Sequence, residues 1–186
     1  EEGVITPEDS FIAWNGENYP FEAWNADQTL QSAMTSSVNW YFQSIDEQLA
    51  STNIYNYIQQ IGYGNENVSG DLSTYWLESS LKISPVEQVE LLMKLQKNSL
   101  GFSSENINAV KDSICLSSSN TGKFYGKTGT GRVGGQDVNG WFIGYIENVN
   151  NTYFFATNIG ADNNATGSNA ADITMSILSD MNIWTQ

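Results

Sequence analysis

The chain has 186 residues, with 7 Lys+Arg against 21 Asp+Glu, a formal net charge of −14 and no histidine. Without imidazole it cannot assemble a Ser-His-Asp or Cys-His catalytic group or a zinc site of the usual His-containing kinds, and its one cysteine, Cys115, forms neither an internal disulfide nor a thiolate cluster. So acidic a chain offers no broad surface for nucleic acid or an anionic membrane, which leaves Ser, Thr, Tyr, Lys, Arg and carboxylates to carry any chemistry.

From the N-terminus, Glu1-Glu2-Gly3-Val4-Ile5 opens without an initiating Met and without a basic or apolar leader, and predicts a piece of a longer polypeptide. Trp14 to Pro20 reads as a turn cluster. Asp27 is the expected N-cap of a helix on which Met34, Val38, Tyr41, Ile45 and Leu49 recur at helical spacing. Ile54, Tyr57, Ile58 and Ile61 predict a second short helix that ends at the Gly62-Tyr63-Gly64-Asn65 turn. Residues 62–75 read as a surface loop.

Ser84-Pro85-Val86-Glu87 is a helix start, with a capping serine, a first-turn proline and a capping-box glutamate. Residues 104–116 predict another helix. The pattern changes after Gly122. Lys123–Thr128, Gly140–Glu147 and Thr152–Asn158 are β-prone runs, the last two joined as a hairpin through Asn148-Val149-Asn150-Asn151. Ala170, Ile173, Ile177 and Leu178 give a closing helix. This order predicts an α+β fold, an antiparallel β-sheet flanked by a helical region. One domain is expected over 1–186, helical to about 120, with the sheet and terminal helix from about 121. No apolar run is long enough to span a bilayer, so no membrane contact is expected of this segment. Few basic residues with much Asn, Ser and Gly fit a secreted type of surface.

Three constellations could carry chemistry. Gly126-Lys127-Thr128-Gly129-Thr130-Gly131 lies on and just after the first predicted strand. Lys123, Lys127 and Arg132, three of the seven basic residues, fall within ten positions there. Scarce positive charge beside a glycine-rich strand end predicts one local anion site, with Thr128 and Thr130 as carboxylate-binding hydroxyls. The alternative is a solvated strand end with turn glycines. A Walker phosphate loop is excluded, because the GxxxxGK[ST] spacing is absent around Lys127. Ser36-Ser37-Val38-Asn39 opens a helical stretch, where a serine facing a lysine can relay a proton or simply cap the helix. Ser79-Ser80-Leu81-Lys82 satisfies a Ser-x-x-Lys pattern, but lies so close to Pro85 that no helix is expected to align the pair.

Taken together, these segments resemble the serine-reactive penicillin-recognising proteins, above all class D (OXA-type) β-lactamases and the sensor domains of BlaR/MecR-type β-lactam receptors. The resemblance runs through Tyr19-Pro20-Phe21-Glu22-Ala23-Trp24-Asn25, Gln28-x-Leu30, Ser37-Val38-Asn39-Trp40-Tyr41-Phe42 and Tyr63-Gly64-Asn65. It continues through Tyr75-Trp76-Leu77-Glu78, Leu81-Lys82-Ile83-Ser84, Glu87-Gln88-Val89, Lys127-Thr128-Gly129 and Gly140-Trp141-Phe142-Ile143-Gly144. The order and spacing of the series are far more specific than any one motif.

The resemblance implies roles. Ser37 is expected to relay the proton to the departing lactam nitrogen, with Lys127 supporting the relay. Thr128 and Gly129 complete the third motif, the Thr128 hydroxyl helping to hold the substrate carboxylate. The Thr130 backbone N–H is an expected oxyanion-hole donor. Trp76 matches a tryptophan that contacts a carboxylated lysine. No metal or organic cofactor is implied, only that lysine, carboxylated from CO2 or bicarbonate. The implied partner is a β-lactam antibiotic and the implied location is extracytoplasmic, in a bacterium.

Two departures matter. The family's nucleophile and its activating lysine lie in a Ser-x-x-Lys motif just upstream of the segment matching Glu1, so that motif is expected in a preceding segment. Its first strands are expected there too, which leaves a sheet edge here without a neighbour. The second departure separates the branches. Asn39 is the residue the sensors carry, and an amide there can disfavour the carboxylated lysine and leave the acyl group in place. Val68-Ser69-Gly70-Asp71-Leu72 and Trp76-Leu77-Glu78-Ser79-Ser80-Leu81 look more like the enzymes. The arginine many class D enzymes use near the C-terminal helix is not visible around Ala165–Ala170, leaving Arg132 or Thr130 to take its place. The leading expectation is therefore a class D β-lactamase, with the sensor domain as the alternative and a non-catalytic relative behind both.

Overall fold

The computed structural model describes residues 1–71 and 73–184, so Leu72 of the Val68–Leu72 stretch lies outside the described residues. The helical part comprises α1 (Leu30–Ser36), α2 (Asn39–Gln48), α3 (Ser51–Ile61), α4 (Pro85–Gln96) and α5 (Ser104–Ser113). The sheet follows as β1 (Cys115–Ser119), β2 (Gly122–Val133), β3 (Gln136–Asn148) and β4 (Thr152–Gly160), and α6 (Gly167–Asp180) closes the chain. All neighbouring strands are antiparallel, in the order β1-β2-β3-β4. Among the described residues the outer edge of β4 pairs with no strand.

The expected helical start at Ser84 is present in full: Ser84 caps α4 and Glu87 reaches back to the Ser84 N–H at 2.8 Å. The expected cap Asp27 is not one. Thr29 caps α1 with a box closed by Ser32, while Asp27 accepts from the Trp14 N–H at 2.8 Å. The periodic run from Met34 to Leu49 is not one helix either. Ser37 enters the left-handed region, with φ 52° and ψ 50°, and breaks the run into α1 and α2. Both helices still present their apolar residues to one core, so the hydrophobic spacing survives a break that it cannot report.

Strand alternation sorts the sheet into two faces. Phe124, Phe142 and Ile146 pack beneath α6 with Ala170 and Leu178. Tyr125 and Tyr145 stack on the opposite face, with ring centroids 4.5 Å apart, and meet Leu92 and Leu95 of α4 and Ile114. A third cluster, Ala33, Val38, Trp40 and Tyr41, fixes the corner between α1 and α2. The β2–β3 turn is made by Gly134 and Gly135, with φ 59° and 82°, the double left-handed geometry of a two-residue hairpin turn. As a result β2 runs well past the expected end at Thr128, and the glycine-rich motif lies inside the strand.

Candidate active site

The site begins at the corner. Val38, fully buried, is seated in the core, and its N–H closes on the Ala33 carbonyl at 2.9 Å. The Trp24 indole donates to the Ser36 carbonyl at 3.0 Å, and the Trp40 indole to the Trp24 carbonyl at 2.9 Å. So buttressed, the left-handed turn aims the Ser37 hydroxyl at β2. There the Lys127 ammonium donates both to Ser37 Oγ and to the Thr128 carbonyl, the latter at 2.9 Å. Burial disfavours the charged amine and lowers the Lys127 pKa from its ordinary value. A desolvated lysine bonded to a serine hydroxyl is a pair through which a proton can pass in either direction.

The second element is an open strand edge. The Gly126 N–H is bonded outward, to the Ile114 carbonyl at 2.9 Å, and β1 covers β2 only as far as the Cys115–Tyr125 pair. From Lys127 onward that edge meets no strand among the described residues. Alternate residues turn their N–H groups to the same side of a strand, so Thr128 and Thr130 direct theirs outward as Gly126 does. Backbone donors beside a lysine on an open edge make a preformed cradle for an oxyanion or carboxylate.

The threonine side chains lie on the α6 face, opposite to Lys127, and Gly129 lies exposed between them. Thr130 Oγ1 accepts the Gly167 N–H at 2.9 Å and so ties the strand to the start of α6.

The expected single island of positive charge is corrected here. Lys123 lies four residues back along β2, about 13 Å from Lys127 at strand spacing. Arg132 lies beyond a bulge, its guanidinium bonded to Asp137 at 2.7 Å with 60% of the side chain exposed. Of these three cations, Lys127 is the one that reaches the Ser37 corner.

Asn39 begins α2, half-buried, and among the described residues its amide has no hydrogen-bond partner. Trp76 is brought in by the segment before α4. Its indole donates to Asp46 of α2 at 3.2 Å, and Gln43 of the same helix holds the Ser73 carbonyl at 3.1 Å. Burial raises the Asp46 pKa to about 6, opposed by the Trp76 bond. Asn65 pins the ends of this segment together, accepting from the Lys82 N–H and donating to the Ser80 carbonyl, both at 2.9 Å. Ser79 and Lys82 are not aligned on a helix, and Lys82 lies 3.9 Å from Glu78. Sequence reasoning missed Asp46 and Glu78. Asp46 had a signal, since it stands seven residues after Asn39 on the same side of α2. Glu78 had none, because its partner Asn139 lies on β3. Among the described residues no three His, Cys, Asp or Glu side chains converge as a metal site.

The site is thus an antiparallel sheet clasped by helices on both faces, with a serine–lysine pair beside an open strand edge. Residues 1–179 match the penicillin binding protein transpeptidase domain model, and the chain belongs to that family. Within it, the chain is 47% identical to the regulatory protein BlaR1 of Bacillus licheniformis, over 99% of this chain and 30% of that protein. The solved C-terminal domain of the Bacillus licheniformis BlaR penicillin-receptor superposes with a TM-score of 0.93 at 46% identity, covering 98% of this chain and 74% of that one. Class D β-lactamase BAT-2 superposes with a TM-score of 0.87 at 37% identity, covering 95% and 72%. Both expected branches are therefore present among the relatives, and similarity ranks the receptors above the enzymes, the reverse of the order expected from sequence. The chain spans about 30% of the curated receptor relatives it matches.

Proposed function

We propose that this chain is the major part of a single β-lactam-sensing domain, which a penicillin-type antibiotic acylates and which releases the acyl group slowly. The nucleophile belongs to a Ser-x-x-Lys segment preceding Glu1. Its hydroxyl oxygen bonds to the lactam carbonyl carbon, the lactam C–N bond breaks, and the serine proton reaches the departing nitrogen through Ser37, assisted by Lys127. The Thr130 N–H holds the oxyanion. Thr128 and Gly129 present the edge to the ligand carboxylate, and Arg132 contributes only long-range field from its pair with Asp137. The domain works outside the cytoplasm, where the antibiotic arrives, and its acylation needs no metal.

The observation that carries the sensor reading is the Asn39 amide two residues from Ser37, which among the described residues has no hydrogen-bond partner. A free amide can hydrogen-bond the activating lysine, keep it uncarboxylated and leave the ester without a base for hydrolysis. Trp76, already bonded to Asp46, supports the same outcome. The enzyme reading has its own support in the 37% identity to a class D β-lactamase. The two are separated by mixing penicillin with protein expressed from the complete reading frame. One acyl group per molecule that persists for hours, unaffected by bicarbonate, is expected; bicarbonate-stimulated turnover of nitrocefin overturns the sensor reading.

A further inference from the structure

Lys127, Gly129 and Gly131 point to one face of β2, and Ile143, Trp141 and Asn139 stand opposite them on β3. The two glycines leave this face bare between two fixed charges. At one end is the Lys127 ammonium on Ser37. At the other is the Glu78 carboxylate, packed so closely on Gly131 that any Cβ there would collide with it. Asn139 donates to Glu78 Oε1 at 2.9 Å, and Asn158 fixes Asn139 by donating to its Oδ1 at 2.7 Å. The half-buried Trp141 walls the trough on the β3 side. Glu78 itself takes the left-handed conformation, with φ 41°, a costly choice for a residue with a side chain. Its side chain is 27% exposed, and its other charged neighbour, Lys82, is 3.9 Å away and 58% exposed, too solvated to cancel it. Arg132 is spent on Asp137.

The trough is thus polarised along its length, positive at Lys127 and negative at Glu78, about 13 Å apart along the strand. We infer that Glu78 is a specificity-determining residue, and that the domain prefers zwitterionic β-lactams whose acyl side chain carries a cation. The inference rests on the β-lactam reading above. A ligand whose carboxylate docks at the Lys127 end and which extends along the edge brings its far substituent to Glu78 and the Trp141 face. An ammonium there meets a carboxylate and an aromatic wall; a second carboxylate meets repulsion.

Three penicillins that differ at one side-chain carbon make the test: ampicillin with an ammonium, benzylpenicillin with neither charge, and carbenicillin with a carboxylate. Second-order acylation rates are measured on protein from the complete reading frame, and the ampicillin-to-carbenicillin ratio is compared between variants, so that any general loss of rate cancels. Glu78→Gln keeps the acceptor for Asn139 and removes the charge. It should lower the ratio at least about fivefold. Glu78→Lys should lower it further, and 0.5 M salt should shrink the wild-type ratio. A ratio unchanged by Glu78→Gln, measured on a folded variant, overturns the inference while leaving the β-lactam reading intact. Failure of all three penicillins to acylate the wild-type protein overturns the β-lactam reading itself.

Discussion

The Lys127 ammonium donates to the Ser37 hydroxyl across 90 positions of sequence, joining the corner of two helices to the edge of the sheet. Neither residue makes this pair without its own device. Ser37 needs the left-handed backbone that turns its hydroxyl outward, and Lys127 needs strand alternation that puts it on the helical side of β2. Coupling of this kind is measurable. Lys127→Ala and Ser37→Ala are each expected to slow penicillin acylation by at least about a hundredfold, and the double variant by little more than either alone, as for residues acting as one unit. Stopped-flow acylation with thermal melts on the same samples decides it. Additive losses would mean that the two side chains act separately.

Asn39 supplies a second test. Asn39→Val removes the free amide without disturbing the backbone of α2, and is expected to shorten the acyl lifetime at least about tenfold, or 1.4 kcal/mol off the barrier. The shortening should grow with added bicarbonate. Mass spectrometry of the acylated protein over time gives the lifetime, and one equal to wild type would remove Asn39 from the account.

The carboxyl of Asp46 makes stability depend on pH. Its folded pKa, raised to about 6 by burial, lies above its ordinary value of 3.8. The proton is therefore held more tightly in the folded state. This contribution is complete below about pH 4 and is lost as pH rises through about 6. Asp46→Asn keeps an acceptor for Trp76 and removes the titration. It should raise stability at pH 8, by no more than about 1 kcal/mol because the group is only half-buried, and flatten the profile between pH 4 and 7. Urea midpoints across that range are the measurement. A variant profile parallel to wild type would mean that Asp46 ionises freely.

At α4, Ser84→Ala deletes a cap whose partners are both in place and is expected to cost about 1 kcal/mol in urea unfolding, with acylation unaffected. A loss below a few tenths would mean that the Glu87 bond to the Ser84 N–H suffices.

What the sequence could and could not announce follows from the range of the interactions. The α4 cap and the β3–β4 hairpin depend on residues a few positions apart, and both were legible. The Ser37 break was hidden, because a left-handed residue between two helices leaves the apolar spacing nearly unchanged. Arg132 was misread for a related reason: charge density along the chain said nothing of Asp137, which the two-glycine turn folds back onto it. Glu78 was invisible, since its role is created by Gly131 and Asn139 on two strands that only the register brings together.

The corner at Ser37 has one more consequence. Its backbone conformation is one that glycine adopts freely and serine does not, at a difference of about 1 kcal/mol. The fold and the chemistry therefore ask for different residues at this position. A Ser37→Gly chain would fold at least as well and pass every test of structure, yet carry no hydroxyl to Lys127. On the proposed function such a chain would be well folded yet mute toward a β-lactam.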